Sequence, residues 1–74
     1  MSTANKESEM VQLARTHVAN WRIIHASREG LKSTQRSTAT RRANKIYDKI
    51  YKLSQKYPEV ERYLDTLEEP PIYI

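Results

Sequence analysis

The sequence predicts an all-α fold: an antiparallel two-helix hairpin followed by a short third helix and an extended C-terminal tail, completed by self-association. Three observations carry this expectation. Glycine occurs once in 74 residues and proline three times, at positions 58, 70 and 71, so nothing breaks a helix in the first half of the chain apart from Gly30. Apolar residues recur at spacings of three and four through two long segments. No stretch alternates apolar and polar side chains as a half-buried strand would. The chain reads as one small helical domain, 1–74, with helices over about 5–29, 35–57 and 59–67 and a tail over 68–74.

The first helix is expected to start near Asn5, whose side chain can cap it, with Glu7 and Glu9 placed favourably in the positive first turns. Gly30 is expected to end it as a left-handed stop, with Arg28 in the last turn. On this helix Met10, Leu13, Ala14, His17, Val18, Trp21, Ile24 and His25 gather on one side, the expected core face. His17, Trp21 and His25 form a column. The two imidazoles stand about 12 Å apart along the axis, too far to share an ion, so no metal site is expected there. Trp21 reads as a core anchor flanked by boundary histidines that hydrogen-bond through a ring nitrogen.

The second helix starts among Ser33, Thr34, Gln35, Arg36, Ser37 and Thr38, where several hydroxyls compete as caps, and stops near Tyr57. Ala39, Ala43, Ile46, Ile50, Leu53 and Tyr57 follow one another at 4, 3, 4, 3, 4 and form an apolar seam. Pro58 suits the first turn of a third helix, in which Val60, Tyr63, Leu64 and Leu67 share a face. Pro70 and Pro71 end it and leave Ile72, Tyr73 and Ile74 as an apolar tail, expected to fold back on the hairpin or to dock elsewhere.

Charge divides the chain. The net charge of +4 is made of +1 over Met1–Ser27, +7 over Arg28–Lys56 and −4 from Tyr57 onward. Within the middle segment Arg42, Lys45, Lys49, Lys52 and Lys56 repeat at 3, 4, 3, 4, a cationic stripe about 21 Å long read as lying opposite the seam. Like charges at these spacings gain nothing within a helix, so the stripe is the leading candidate for partner contact, with Tyr51 interleaved beside it. Glu59, Glu61, Glu68 and Glu69 could instead approach and mute it. Lys32 to Arg42 mixes bases with five hydroxyls, a composition able to offer donors to an anion but equally usual at a helix start.

Composition excludes much else. Without cysteine there is no disulfide, thiolate metal site or thiol nucleophile. No credible nucleophile, metal cluster or acid pair stands in one place, so the chain reads as non-enzymatic, with no cofactor and no metal. Met1 to Ser8 lacks the apolar centre of a signal peptide, and no stretch approaches the roughly 20 apolar residues of a membrane span. A cytoplasmic protein that does not engage membranes is expected. A chain of this size removes only roughly 60–65% of its unfolded surface from water, so homodimerisation is the expected supplement to a thin core.

Ala43-Asn44-Lys45-Ile46-Tyr47-Asp48-Lys49-Ile50, followed by Pro58-Glu59 and the Leu64-x-x-Leu67 turn, resembles the opening helical hairpin of small bacterial HEAT-like domains, some linked to toxin immunity. The resemblance spans roughly Lys32 to Leu67 and implies a protein-binding module without catalysis; no functional residue is carried over from it. The expected role is that of a small binding protein that blocks a macromolecular partner, of the immunity type or a phage-encoded inhibitor acting in the host cytoplasm. Arg42, Lys45, Lys49, Lys52, Lys56 and Tyr51 are the expected contacts, with Ile72, Tyr73 and Ile74 as a further contact through the tail. The alternative is a nucleic-acid binder of low sequence preference using the same basic face.

Overall fold

The structure, a computed structural model, describes residues 8–74. Helix α1 spans Glu9–Ser27, a 3-10 turn spans Arg28–Gly30, α2 spans Ser33–Lys56 and α3 spans Pro58–Asp65. The fold is all-α, and no strand occurs among the described residues.

Ser8 caps α1: its hydroxyl accepts from the backbone N–H of Met10 at 3.1 Å and of Val11 at 3.4 Å. A hydroxyl acceptor at this position stabilises a helix start by about 1 kcal/mol. The expected cap, Asn5, lies outside the described residues. Gly30 does not act as a left-handed stop, because no glycine has a positive φ. The helix instead tightens into the 3-10 turn, where the Leu31 N–H donates to the Arg28 carbonyl at 3.1 Å, and Leu31 leaves in an extended conformation. A 3-10 turn satisfies the last carbonyls without asking any residue for φ above zero.

α2 then runs unbroken. Small Ala39 and Ala43 on it are buried, as is Ala14 on α1, which lets the two backbones approach closely. Val18, Trp21, Ala43 and Ile50 form one buried cluster; Val11, Ala14 and Val60 form a second. Tyr63 and Leu64 of α3 pack against both and join them. Pro58 occupies the first turn of α3, where a missing N–H costs nothing, and Tyr57 precedes it in extended geometry, as a residue before proline prefers.

The tail returns across the hairpin. Arg22 on α1 donates from Nη2 to the Glu69 carbonyl at 3.3 Å, and Pro71 is buried. Asn44 on α2 grips the last residue twice: Nδ2 donates to the Ile74 carbonyl at 3.2 Å while Oδ1 accepts from the Ile74 N–H at 2.9 Å. Ile74 packs on the first cluster, whereas Ile72 and Tyr73 remain exposed.

Candidate functional site

α3 and the tail cover one flank of the hairpin. On α1 they meet Arg15, whose guanidinium sits 5.0 Å from the Tyr63 ring centre, and Arg22; on α2 they meet Asn44 and Tyr47, the latter edge-on to Tyr73 at 6.0 Å. Among the described residues no element covers the opposite flank, and the cationic row stands on it.

The row does not lie opposite the seam. At 3.6 residues per turn its mean direction is about 100° from that of Ala39, Ala43, Ile46, Ile50, Leu53 and Tyr57, little more than a quarter turn. That angle brings it beside α1 rather than to the far side of α2. Two contiguous clefts result, sharing Lys49. One, of about 560 Å³, has Arg42, Lys45 and Lys49 facing Asn20, Ile23 and Ile24. The other, of about 340 Å³, has Lys49, Lys52 and Lys56 facing Met10, Leu13 and His17. The apolar wall is substantial, since Leu13 is 41% and Ile23 67% exposed. Cations and large apolar side chains therefore share one elongated groove.

Among the described residues, no carboxylate of the chain forms an ion pair with any of the five cations, so Glu59, Glu61, Glu68 and Glu69 do not pair with the row. Lys56 lies over the Tyr57 ring at 5.6 Å. Tyr51 is not brought to the row. It points to the tail flank, stacking on Tyr47 with ring centres 6.3 Å apart, and Tyr47 in turn meets Tyr73. Ile72, Tyr73 and Ile74 also belong to that flank, apart from the lysines.

His17 is the one titratable group in the groove with a displaced pKa. Burial lowers it from 6.5, and the neighbouring Lys49 ammonium lowers it further. With the folded pKa depressed, the unfolded chain binds more protons than the folded one as pH falls through about 6.5 and below, so the stability this group contributes is fully present above 6.5 and is lost on acidification through the folded pKa. His17→Gln is expected to flatten the pH dependence of the urea midpoint as pH falls below about 6.5, and Lys49→Gln to reduce it partly. An unchanged slope in His17→Gln would assign the dependence elsewhere.

His25 stacks on Trp21, ring centres 4.6 Å apart and planes 12° from parallel, in place of the expected ring-nitrogen hydrogen bond. Trp21 itself is buried, and its Nε1 finds no acceptor. No group of three or more metal-ligating side chains forms among the described residues, and no helix there is long and apolar enough to cross a membrane. The two features that spacing alone does not reveal are the apolar wall from α1, visible only once the helices pair, and the Asn44 clamp on the tail. No family model matches the chain, and no curated protein or solved structure matches it at a significant level.

Proposed function

We propose that the chain is a non-enzymatic binding protein that captures an acidic, amphipathic segment of a partner protein along the bare flank of the hairpin and blocks that partner by occupying it. One observation carries this reading: a row of five cations, unpaired within the chain among the described residues, forms one wall of a groove whose other wall is exposed Leu13 and Ile23. Carboxylates on the partner would meet the ammonium groups while its apolar residues fill the wall of α1, the combination of anchor and charge that gives both affinity and orientation. The resemblance to immunity-type HEAT-like hairpins supports the same role, that of a cytoplasmic inhibitor of bacterial or phage origin. Self-association as a dimer belongs to the reading as well, because Tyr51, Ile72 and Tyr73 leave apolar surface uncovered on the other flank.

The length of the row, about 21 Å, also favours a second reading, contact with successive nucleic-acid phosphates. The Lys45→Glu/Lys49→Glu/Lys52→Glu variant separates the outcomes. All three residues are exposed, so far-ultraviolet circular dichroism should be unchanged, while capture of the partner from the source cell should fall at least tenfold, the equivalent of losing one charge-assisted contact of about 1.4 kcal/mol. Leu13→Ser/Ile23→Ser should weaken capture of a protein partner to a similar degree and leave any affinity for duplex DNA unaltered. Full capture by the folded triple variant would overturn both readings. Duplex binding whose logarithm falls with log salt at about −0.9 per neutralised phosphate, indifferent to Leu13 and Ile23, would overturn the first and leave the second.

A further inference from the structure

A second basic cluster sits at the hairpin end. Ser33, Arg36, Ser37, Thr40 and Arg41 recur three and four residues apart and so share one side of the first two turns of α2. Arg28 reaches over from the 3-10 turn and lines the same concave surface, a cleft of about 470 Å³. Arg28 and Arg36 also bound a smaller neighbouring cleft of about 230 Å³ with Glu29. The lysine row has no part in either.

We propose that this cluster is a binding site for a phosphate monoester dianion. Three arginines and three hydroxyl side chains line the larger cleft, a set of hydrogen-bond donors with no carboxylate among them; Glu29 borders only the smaller one. The chemistry differs from that of the row on the bare flank. There four of five cations are lysines, point charges that any anion satisfies; here the cations are arginines, whose planar forks match two oxygens of a phosphate at once.

The chain restrains two of the three guanidiniums. Arg28 is half-buried, and its Nε is shut away from solvent with no acceptor. The side chain lines both clefts. Arg36 donates from Nη2 to the Leu31 carbonyl at 3.4 Å, which ties its fork to the turn. Among the described residues no ion pair engages Arg28, Arg36 or Arg41, and Glu29 stands beside Arg28 and Arg36 at the smaller cleft without bridging either. α2 begins at this edge without a side-chain cap, so the first-turn N–H groups and the positive end of the helix dipole add to the same field. A dianion offers three or more oxygens to this donor set and neutralises it; a single carboxylate offers two and half the charge.

Titration of the full chain with inorganic phosphate at constant ionic strength, followed by the Nε–Hε signals of the arginines and the backbone amides of Ser33, Ser37, Lys45 and Lys49, tests the site. Saturable shifts at Arg28, Arg36 and Arg41, absent from Lys45 and Lys49, are expected. Arg36→Gln/Arg41→Gln should weaken binding about tenfold or more without altering helicity, since both side chains are exposed. Arg28→Lys, which keeps the charge and removes the fork, should weaken it as well, and its unfolding midpoint reports whether the turn survives. Adenosine monophosphate and a phosphoserine peptide then distinguish the source of the group: tighter binding of either one than of inorganic phosphate supports the site and identifies what carries the phosphate. Shifts that fail to saturate, that spread equally to the lysine row, or that persist unchanged in Arg36→Gln/Arg41→Gln would overturn the proposal.

Discussion

Trp21→Ala is expected to leave most of the chain unfolded at room temperature, whereas Trp21→Phe should remain folded. A 74-residue domain has a net stability of about 4–11 kcal/mol, and its small size places it toward the lower end. Trp21 is 5% exposed and stands in the cluster with Val18, Ala43 and Ile50, the latter two reached from α2. Truncating a buried tryptophan to alanine costs about 3–5 kcal/mol, transfer and cavity together, which is comparable with the whole net stability. Phenylalanine is different for a reason visible at the nitrogen. Because Nε1 has no acceptor, its removal breaks no hydrogen bond and eliminates a buried donor, leaving only the loss of area and of part of the stack on His25. A cost of about 1–2 kcal/mol is expected for Trp21→Phe. Urea unfolding followed by circular dichroism at the helix band ranks the two. A cost for Trp21→Phe as large as that for Trp21→Ala would overturn the assignment of this site's stability to buried area.

The parts of this fold that were legible in the sequence are those set by local spacing. The α2 seam, the core face of α1 and the proline at the start of α3 each follow from residues within one or two turns of one another. Gly30 was misleading, because glycine permits a left-handed stop without requiring it, and a 3-10 turn ends the helix without one. The tail clamp was not legible, since Asn44 and Ile74 are 30 positions apart and nothing local marks Asn44 as an acceptor for a chain returning from α3. The candidate site stood between these cases. Spacing showed that Arg42, Lys45, Lys49, Lys52 and Lys56 form a row, but the mean direction of that row relative to the seam decides its meaning. At about 100° the row borders α1 and gains Leu13 and Ile23 as neighbours; at 180° it would have faced solvent alone. Tyr51 illustrates the converse: adjacency to Lys52 in sequence turns it to the other flank, with Tyr47 and Tyr73.

Val60→Asp is expected to unfold the whole chain rather than release α3 alone. Val60 is the one buried residue of α3, fully enclosed, and it packs with Val11 and Ala14 against the N-terminal half of α1. Placing a carboxylate there leaves an unpaired charge in an apolar cluster, a defect costing about 3–5 kcal/mol where the charge finds no partner. If α3 were an independent flap, the hairpin would survive its detachment. Two features argue against that. Eight residues of helix have no stability of their own in water, so α3 exists only while docked. Its Tyr63 and Leu64 pack against both buried clusters, and the tail that follows it is bonded to Arg22 and Asn44 on the two long helices. Loss of α3 therefore strips cover from Val18, Trp21 and Ile50 as well as from Val11, and the remaining pair of helices has too little core to persist. Coincident urea transitions for Trp21 fluorescence and for helix content are expected in the wild type, both moved to far lower denaturant in Val60→Asp, with Val60→Ala intermediate at a cost of about 1–2 kcal/mol. A variant that lost only the α3 signals while Trp21 kept its native emission would show that the hairpin stands without the third helix.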